Sequence, residues 1–223
     1  MKTFVISLNS SNERRQHIKN VMARLALGFE FFDAIDGRHL SPDLEAKLDQ
    51  KLAFEILGRE LTAGEAGCAL SHLSLYERMV AENISEALIF EDDIDADDRF
   101  RDVLEDLTRK MPARVELVYL YNGKAKAWPM KRSLSHGFKL ARYRFPSRNS
   151  RRKIIRTTAY ILKSAGARKL LNNAYPVRMP SDFLLGSIHK SRINAYGVEP
   201  NPLSTDHFET TITDRKSAHS IST

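Results

Sequence analysis

The stretch Ala87-Leu88-Ile89-Phe90-Glu91-Asp92-Asp93-Ile94-Asp95 constrains this chain more than any other. Four apolar residues rich in branched and aromatic side chains read as a short buried strand. The strand ends in three consecutive carboxylates, with Asp95, Asp97 and Asp98 close behind. Desolvating unpaired charge costs several kcal/mol per group, so such a strand must stop at a cleft or edge. In an open α/β sheet, ligands bind at the carboxyl ends of strands. Hard oxygen donors clustered there suit Mg²⁺ or Mn²⁺, with a nucleotide diphosphate supplying further ligands. The alternative is a solvated acidic turn that caps the next helix.

With 223 residues, 42% of them hydrophobic, the chain can bury a sizeable core as one domain. Its net charge of +7 suits nucleic acid, an anionic membrane surface or a phosphorylated ligand. One cysteine, Cys68, excludes an intramolecular disulfide framework and fits a reducing compartment. The apolar part of Met1–Leu8 is too short for a signal peptide, and no stretch approaches the roughly 20 apolar residues that span a bilayer. A cytoplasmic location is expected.

Thr3–Leu8 reads as a first strand. Ser10 and Glu13 have capping-box spacing before a helix over residues 11–26 that buries Ile18, Val21, Met22 and Leu25. Arg14 and Arg15 fall in its first turn, where the dipole disfavours cations, so they require an anion or acidic neighbours. A second strand is expected over Phe29–Ile35, running into the Asp36-Gly37 turn. One helix from Ser41-Pro42 is expected to bury Leu44, Leu48, Leu52 and Ile56. Thr62 and Glu65 give a second capping box before a helix to about Glu82, rich in small residues early and carrying Ser71 and His72. Both Cys68 and His72 have an ordinary reading as packed helix residues.

After the acidic strand come a helix to Lys110, a strand over Val115–Tyr121, a strand over Thr157–Leu162, a helix from Ser164, a short helix from Pro180 and a last strand over Ile193–Val198. Residues 124–156 read as a basic, irregular insert with interleaved aromatics, suited to anionic lipid, anionic glycan or single-stranded nucleic acid. Residues 203–223 read as a polar tail, a lid or disordered. Alternating strands and helices predict an α/β sandwich with a mainly parallel sheet.

Several stretches taken in order resemble glycosyltransferase family 25, the bacterial lipooligosaccharide galactosyltransferase group. They are Phe4–Leu8 with Ser11, Arg14 and Arg15; Phe32–Gly37; Leu61–His72; Ile89–Ile94; Thr157–Leu162 with Gly166–Leu171; and Pro180–Leu184. Together they run from about residue 3 to residue 202. The resemblance implies a single GT-A-like nucleotide-sugar-binding α/β/α domain over residues 1–202. It implies an inverting, metal-dependent transfer of galactose from UDP-galactose to a lipooligosaccharide or lipopolysaccharide acceptor. On that basis Asp93 is the first metal ligand for Mn²⁺ or Mg²⁺, and His207 could complete the metal sphere. Ser7, Leu8, Arg14, Ser71, His72, Glu91 and Asp92 would lie against the nucleotide, and Asp182 of the Pro-x-Asp segment would be the general base. The basic surplus would hold the protein at the inner leaflet, with no nucleic acid partner expected. Two departures stand out: the tail after Pro202 matches poorly, and Ser181 replaces a more usual β-branched residue. The competing functions are a nucleic-acid-binding module, which would leave the acidic strand end unexplained, and a metal-dependent phosphoesterase or nucleotidyltransferase.

Overall fold

The computed structural model describes residues 1–205 apart from 124, 148–149 and 151–152. His207, the expected late metal ligand, and most of the expected tail lie outside the described residues.

The strands are β1 (Lys2–Ser7), β2 (Glu30–Asp33), β3 (Glu86–Glu91), β4 (Asp95–Ala96), β5 (Leu117–Gly123), β6 (Ala127–Ser133), β7 (Lys139–Tyr143), β8 (Ile155–Lys163), β9 (Ala195–Glu199) and β10 (Leu203–Ser204). The α-helices are α1 (Asn12–Arg24), α2 (Pro42–Glu45), α3 (Gln50–Leu57), α4 (Ala63–Ala81), α5 (Arg99–Lys110), α6 (Ser164–Leu171), α7 (Ser181–Gly186) and α8 (Ile188–Ser191). Among the described residues, eight strands form one sheet in the order β2-β1-β3-β8-β5-β9-β7-β6, and β4 pairs with β10 apart from it.

Side-chain alternation along β3 builds the sandwich, because successive residues face opposite sides of a sheet. Ala87 and Ile89 join one core cluster with Phe4, Leu70, Leu73, Tyr76 and Tyr160, on the side of α4 and α6. Leu88 and Phe90 join the other with Val5, Ile18, Met22, Phe100 and Leu107, on the side of α1 and α5. The result is an α/β/α arrangement with a core on each face.

The sheet is mixed rather than mainly parallel in its pairing. Strand β1 is parallel to β2 and β3, and β5 to β9. In contrast, β8 runs antiparallel to β3 and β5, and β7 antiparallel to β9 and β6. The reversal has a local cause on one side: β6 and β7 are joined by the short turn at Ser135–Gly137, which permits only antiparallel pairing. The basic region 124–156 is therefore not irregular throughout. It supplies the outer hairpin of the sheet, whose edge strand carries Lys131 and Arg132, charges that discourage further strand pairing.

Smaller corrections follow the same physics. Helix α1 begins after Ser11, which makes no side-chain cap, so the Ser10–Glu13 box is not formed. The single helix expected after Ser41 is two: Asp49 breaks it by capping α3 through the Leu52 amide at 2.8 Å, and Ile56 is 44% exposed. The box at Thr62 is complete, and Arg59 grips the buried Glu65 carboxylate with two 2.7 Å bonds.

The small residues at the start of α4 let the Ile35–Gly37 loop lie directly on the helix. A Cβ on Gly67 would stand 2.5 Å from the Ile35 carbonyl oxygen and 2.6 Å from the Gly37 nitrogen. Backbone cannot yield as a flexible side chain can, so Gly67→Ala is expected to lower stability by about 1–3 kcal/mol. A urea midpoint equal to that of the unaltered protein would contradict this packing.

Candidate active site at the ends of the first and third strands

Strand β2, reached from β1 through α1, lies to one side of β1, and β3 lies to the other, so the chain changes winding direction between β1 and β3. Crevices form at such switch points, outside the carboxyl ends of the strands. A cleft of about 580 Å³ opens there. Its walls include Leu8, Arg14, Ser71, His72 and the three carboxylates Glu91, Asp92 and Asp93.

Strand alternation explains where the first two acids go. Glu91 continues the Ala87–Ile89 side and meets α4, where His72 Nε2 stands 3.2 Å from its Oε1. The Thr157 hydroxyl donates to the same oxygen at 2.6 Å. Burial alone would raise the Glu91 pKa, but the hydrogen bonds from His72 and Thr157 and the nearby Arg14 charge bring it below its ordinary value. Asp92 continues the Leu88–Phe90 side and meets β1 and α1. It accepts from Ser7 Oγ at 2.6 Å and from Arg14 Nη1 at 2.9 Å.

Asp93 lies beyond the strand, in the turn. Its Oδ1 is buried and has no hydrogen-bond partner among the described residues. Burial, followed by the charges of Glu91 and Asp92, pushes its pKa up to about 6, with Arg14 opposing. A buried carboxylate oxygen without a donor, beside two further carboxylates, is chemically suited to a hard divalent cation.

The other expected contacts divide by role. Arg15 pairs with Asp33, donates to the Ser7 and Leu8 carbonyl oxygens, and stacks 4.6 Å from the Phe31 ring centroid. Ser71 lines the cleft, but its hydroxyl donates to the Gly67 carbonyl oxygen at 2.6 Å and accepts from the Ile35 amide at 2.8 Å, which fixes the loop. His72 is buried and its Nδ1 stands 2.6 Å from Tyr160 Oη, itself 2.6 Å from Tyr76 Oη. Asp182 is 9% exposed, sits in the first turn of α7 and does not line the cleft. Its neighbour Ser181 joins the site indirectly, with Oγ 3.1 Å from Cys68 Sγ and 3.3 Å from Thr157 Oγ1.

Sequence reasoning missed five participants. Thr157 and Tyr160 act only because β8 is inserted beside β3, a non-local pairing with no local signature. Cys68 lies on the cleft wall rather than in the core. Asp36 and Arg38 form a cleft-lining ion pair at 2.7 Å; the Arg38 hydrogen bonds hold the Asp36 carboxyl well below the usual carboxylate range.

The family model described as glycosyltransferase family 25 (LPS biosynthesis protein) matches residues 1–185, and the chain belongs to that family. It is 33% identical over 184 residues to the human protein named inactive glycosyltransferase 25 family member 3, covering 76% of this chain and 28% of that protein. It is 40% identical over 114 residues to an Aedes aegypti glycosyltransferase 25 family member, covering 48% of this chain and 19% of that one. It is 38% identical over 92 residues to the Haemophilus influenzae lipooligosaccharide biosynthesis protein lic2B, covering 41% of this chain and 33% of that one. The chain thus spans well under half the length of these relatives. Among the described residues, no helix is long and apolar enough to cross a membrane.

Because Asp93 holds its proton more tightly when folded than when unfolded, its titration lowers stability as pH rises from 3.8 to about 6 and adds nothing beyond that window. In EDTA, Asp93→Asn is expected to remove this loss and to stabilise the protein at pH 7 by about 1–2 kcal/mol. Urea melts across that pH range check it; a destabilised Asn variant would show that Asp93 is not under electrostatic strain.

Proposed function

We propose that the chain is an inverting, metal-dependent glycosyltransferase that moves a sugar, with galactose from UDP-galactose the leading choice, to a hydroxyl of a lipooligosaccharide or lipopolysaccharide acceptor. Family membership supports the reaction class, and the named role of lic2B supports the acceptor class. The observation that carries the reading is the buried Oδ1 of Asp93, without a hydrogen-bond partner among the described residues, beside Glu91 and Asp92 at the switch-point cleft. Asp93 would hold Mn²⁺ or Mg²⁺. Such an ion supplies Lewis-acid neutralisation of the charge that builds on a departing diphosphate. The two windings either side of β1 and β3, with helices on both faces, support a GT-A-like nucleotide-binding domain.

The chain's own residues then have distinct tasks. Arg14 balances the Asp92 charge and holds that carboxylate at the strand end. The Ile35–Gly37 loop, fastened to α4 through Ser71, forms the wall against which a nucleoside would lie. In the reaction an acceptor hydroxyl oxygen forms a bond to the anomeric carbon as the bond from that carbon to the diphosphate oxygen breaks. The hydroxyl proton passes to a carboxylate. We assign that base to Asp182, on α7, which packs against β8; its carboxylate stands behind the cleft wall, and its neighbour Ser181 makes the link to that wall, with Oγ 3.1 Å from Cys68 Sγ. The exposed Trp128 and Met130 of β6, with Arg144 stacked 5.0 Å from the Trp128 ring, form an apolar and basic edge suited to an anionic lipid surface.

A panel of UDP-sugars, each incubated with Mn²⁺ and with EDTA, tests this reading by UDP release. One donor should be hydrolysed slowly in the presence of the metal and not in EDTA, and Asp93→Ala should abolish the release while leaving the fold intact. Turnover retained by Asp93→Ala would sink the assignment. Once the acceptor is found, Asp182→Asn is expected to slow transfer by about 100-fold or more without weakening UDP binding. An unchanged rate would remove Asp182 from the chemistry. A human relative of this chain is named inactive, so UDP binding without release from any donor would favour a nucleotide-sugar-binding role over transfer.

A further inference from the structure

Three side chains beside the acidic turn carry a different kind of donor set. Cys68 and His72 lie four residues apart on α4, so they share one face of the helix. Glu91 reaches that face from the end of β3. Their candidate donor atoms, one sulfur, one imidazole nitrogen and one carboxylate oxygen, all lie within 4.8 Å of one another.

The nitrogen–oxygen spacing suits a tetrahedral centre. With metal–nitrogen and metal–oxygen bonds of about 2.0–2.2 Å, two such ligands stand roughly 3.4 Å apart. His72 Nε2 and Glu91 Oε1 are already 3.2 Å apart. The neighbours orient the donors as outer partners of metal ligands do. Tyr160 Oη sits 2.6 Å from His72 Nδ1, which leaves Nε2 directed at Glu91. Thr157 donates to Glu91 Oε1 at 2.6 Å, and Ser181 Oγ lies 3.1 Å from the Cys68 sulfur. All three donor residues line the cleft, so a fourth position would open into it.

We propose that Cys68, His72 and Glu91 form a binding site for a thiophilic divalent cation, of which Zn²⁺ is the leading candidate, with one exchangeable position facing the cleft. The sulfur and nitrogen donors separate it chemically from the oxygen donors of Asp93, which suit Mg²⁺ or Mn²⁺. Binding converts the Cys68 thiol to thiolate and releases its proton to solvent, so affinity rises with pH. The site does not depend on the transferase reading and would exist in a chain that transfers nothing.

Cobalt(II) is the direct probe, because a thiolate bound to it gives a charge-transfer band in the near ultraviolet, and a four-coordinate centre gives strong visible bands. Cys68 is the one cysteine in the chain, so any such thiolate band comes from it. The unaltered protein titrated with Co²⁺ should develop both features at one equivalent, and Zn²⁺ should displace them. Cys68→Ser should lose the charge-transfer band, and Asp93→Asn should keep it. Tyr160→Phe, which removes the outer partner of His72, should weaken binding by about 10–100-fold. The absence of a thiolate band in the unaltered protein would overturn the proposal whatever the variants do, as would its persistence in Cys68→Ser. None of these measurements involves a sugar donor, so failure here is separate from failure of the transferase assay.

Discussion

Charged groups at the end of a buried strand must each find a counter-charge, a donor or a ligand, because the surrounding core offers no water to solvate them. Strand β3 has four wholly buried residues, Ala87 to Phe90, followed directly by Glu91 and Asp92. The alternation that sends Ala87 and Ile89 into one core and Leu88 and Phe90 into the other also sends the two acids in opposite directions. Glu91 is met by His72 and Thr157, and Asp92 by Arg14 and Ser7. Each of those partners comes from a different element, so α4, β8, α1 and β1 are all tied to the same few ångströms. Asp93, one step further, receives no donor at Oδ1 among the described residues. The cleft thus has a satisfied base and one carboxylate oxygen poised for something else.

The same arrangement rationalises the arginines of α1. A cation in the first turn of a helix opposes the dipole. Arg14 is held there by the Asp92 carboxylate at 2.9 Å, and Arg15 by Asp33 and two carbonyl oxygens of the first strand end. Their positions are unfavourable for the isolated helix and favourable for the site, a trade common where local preference yields to function. On the opposite wall, the glycine at position 67 gives up side-chain packing so that the Ile35–Gly37 loop can touch the helix backbone.

Much of this was legible from local pattern. The end of the third strand at its carboxylates, the Thr62–Glu65 capping box, the short helix carrying Asp182 and the need of Arg14 for an anion all follow from spacing and desolvation. What stayed hidden depends on pairing between distant segments. Nothing local says that β8 enters antiparallel between β3 and β5, and so Thr157 and Tyr160 gave no sign of their roles. The hairpin of β6 and β7 was masked by its composition, since an edge strand exposed to water needs no apolar alternation. The break at Asp49 competed with a continuous run of leucines at helical spacing, and the side-chain cap won.

The central claim is that the cleft binds a nucleoside diphosphate together with a hard divalent cation held by Asp93. Thermal unfolding with UDP alone, Mn²⁺ alone and both together tests it without requiring an acceptor or turnover. The account predicts a shift with both that exceeds the sum of the separate shifts. At a ligand concentration one hundred times the dissociation constant, the stabilisation should reach about 2.7 kcal/mol. A melting temperature unmoved by the combination would contradict the account.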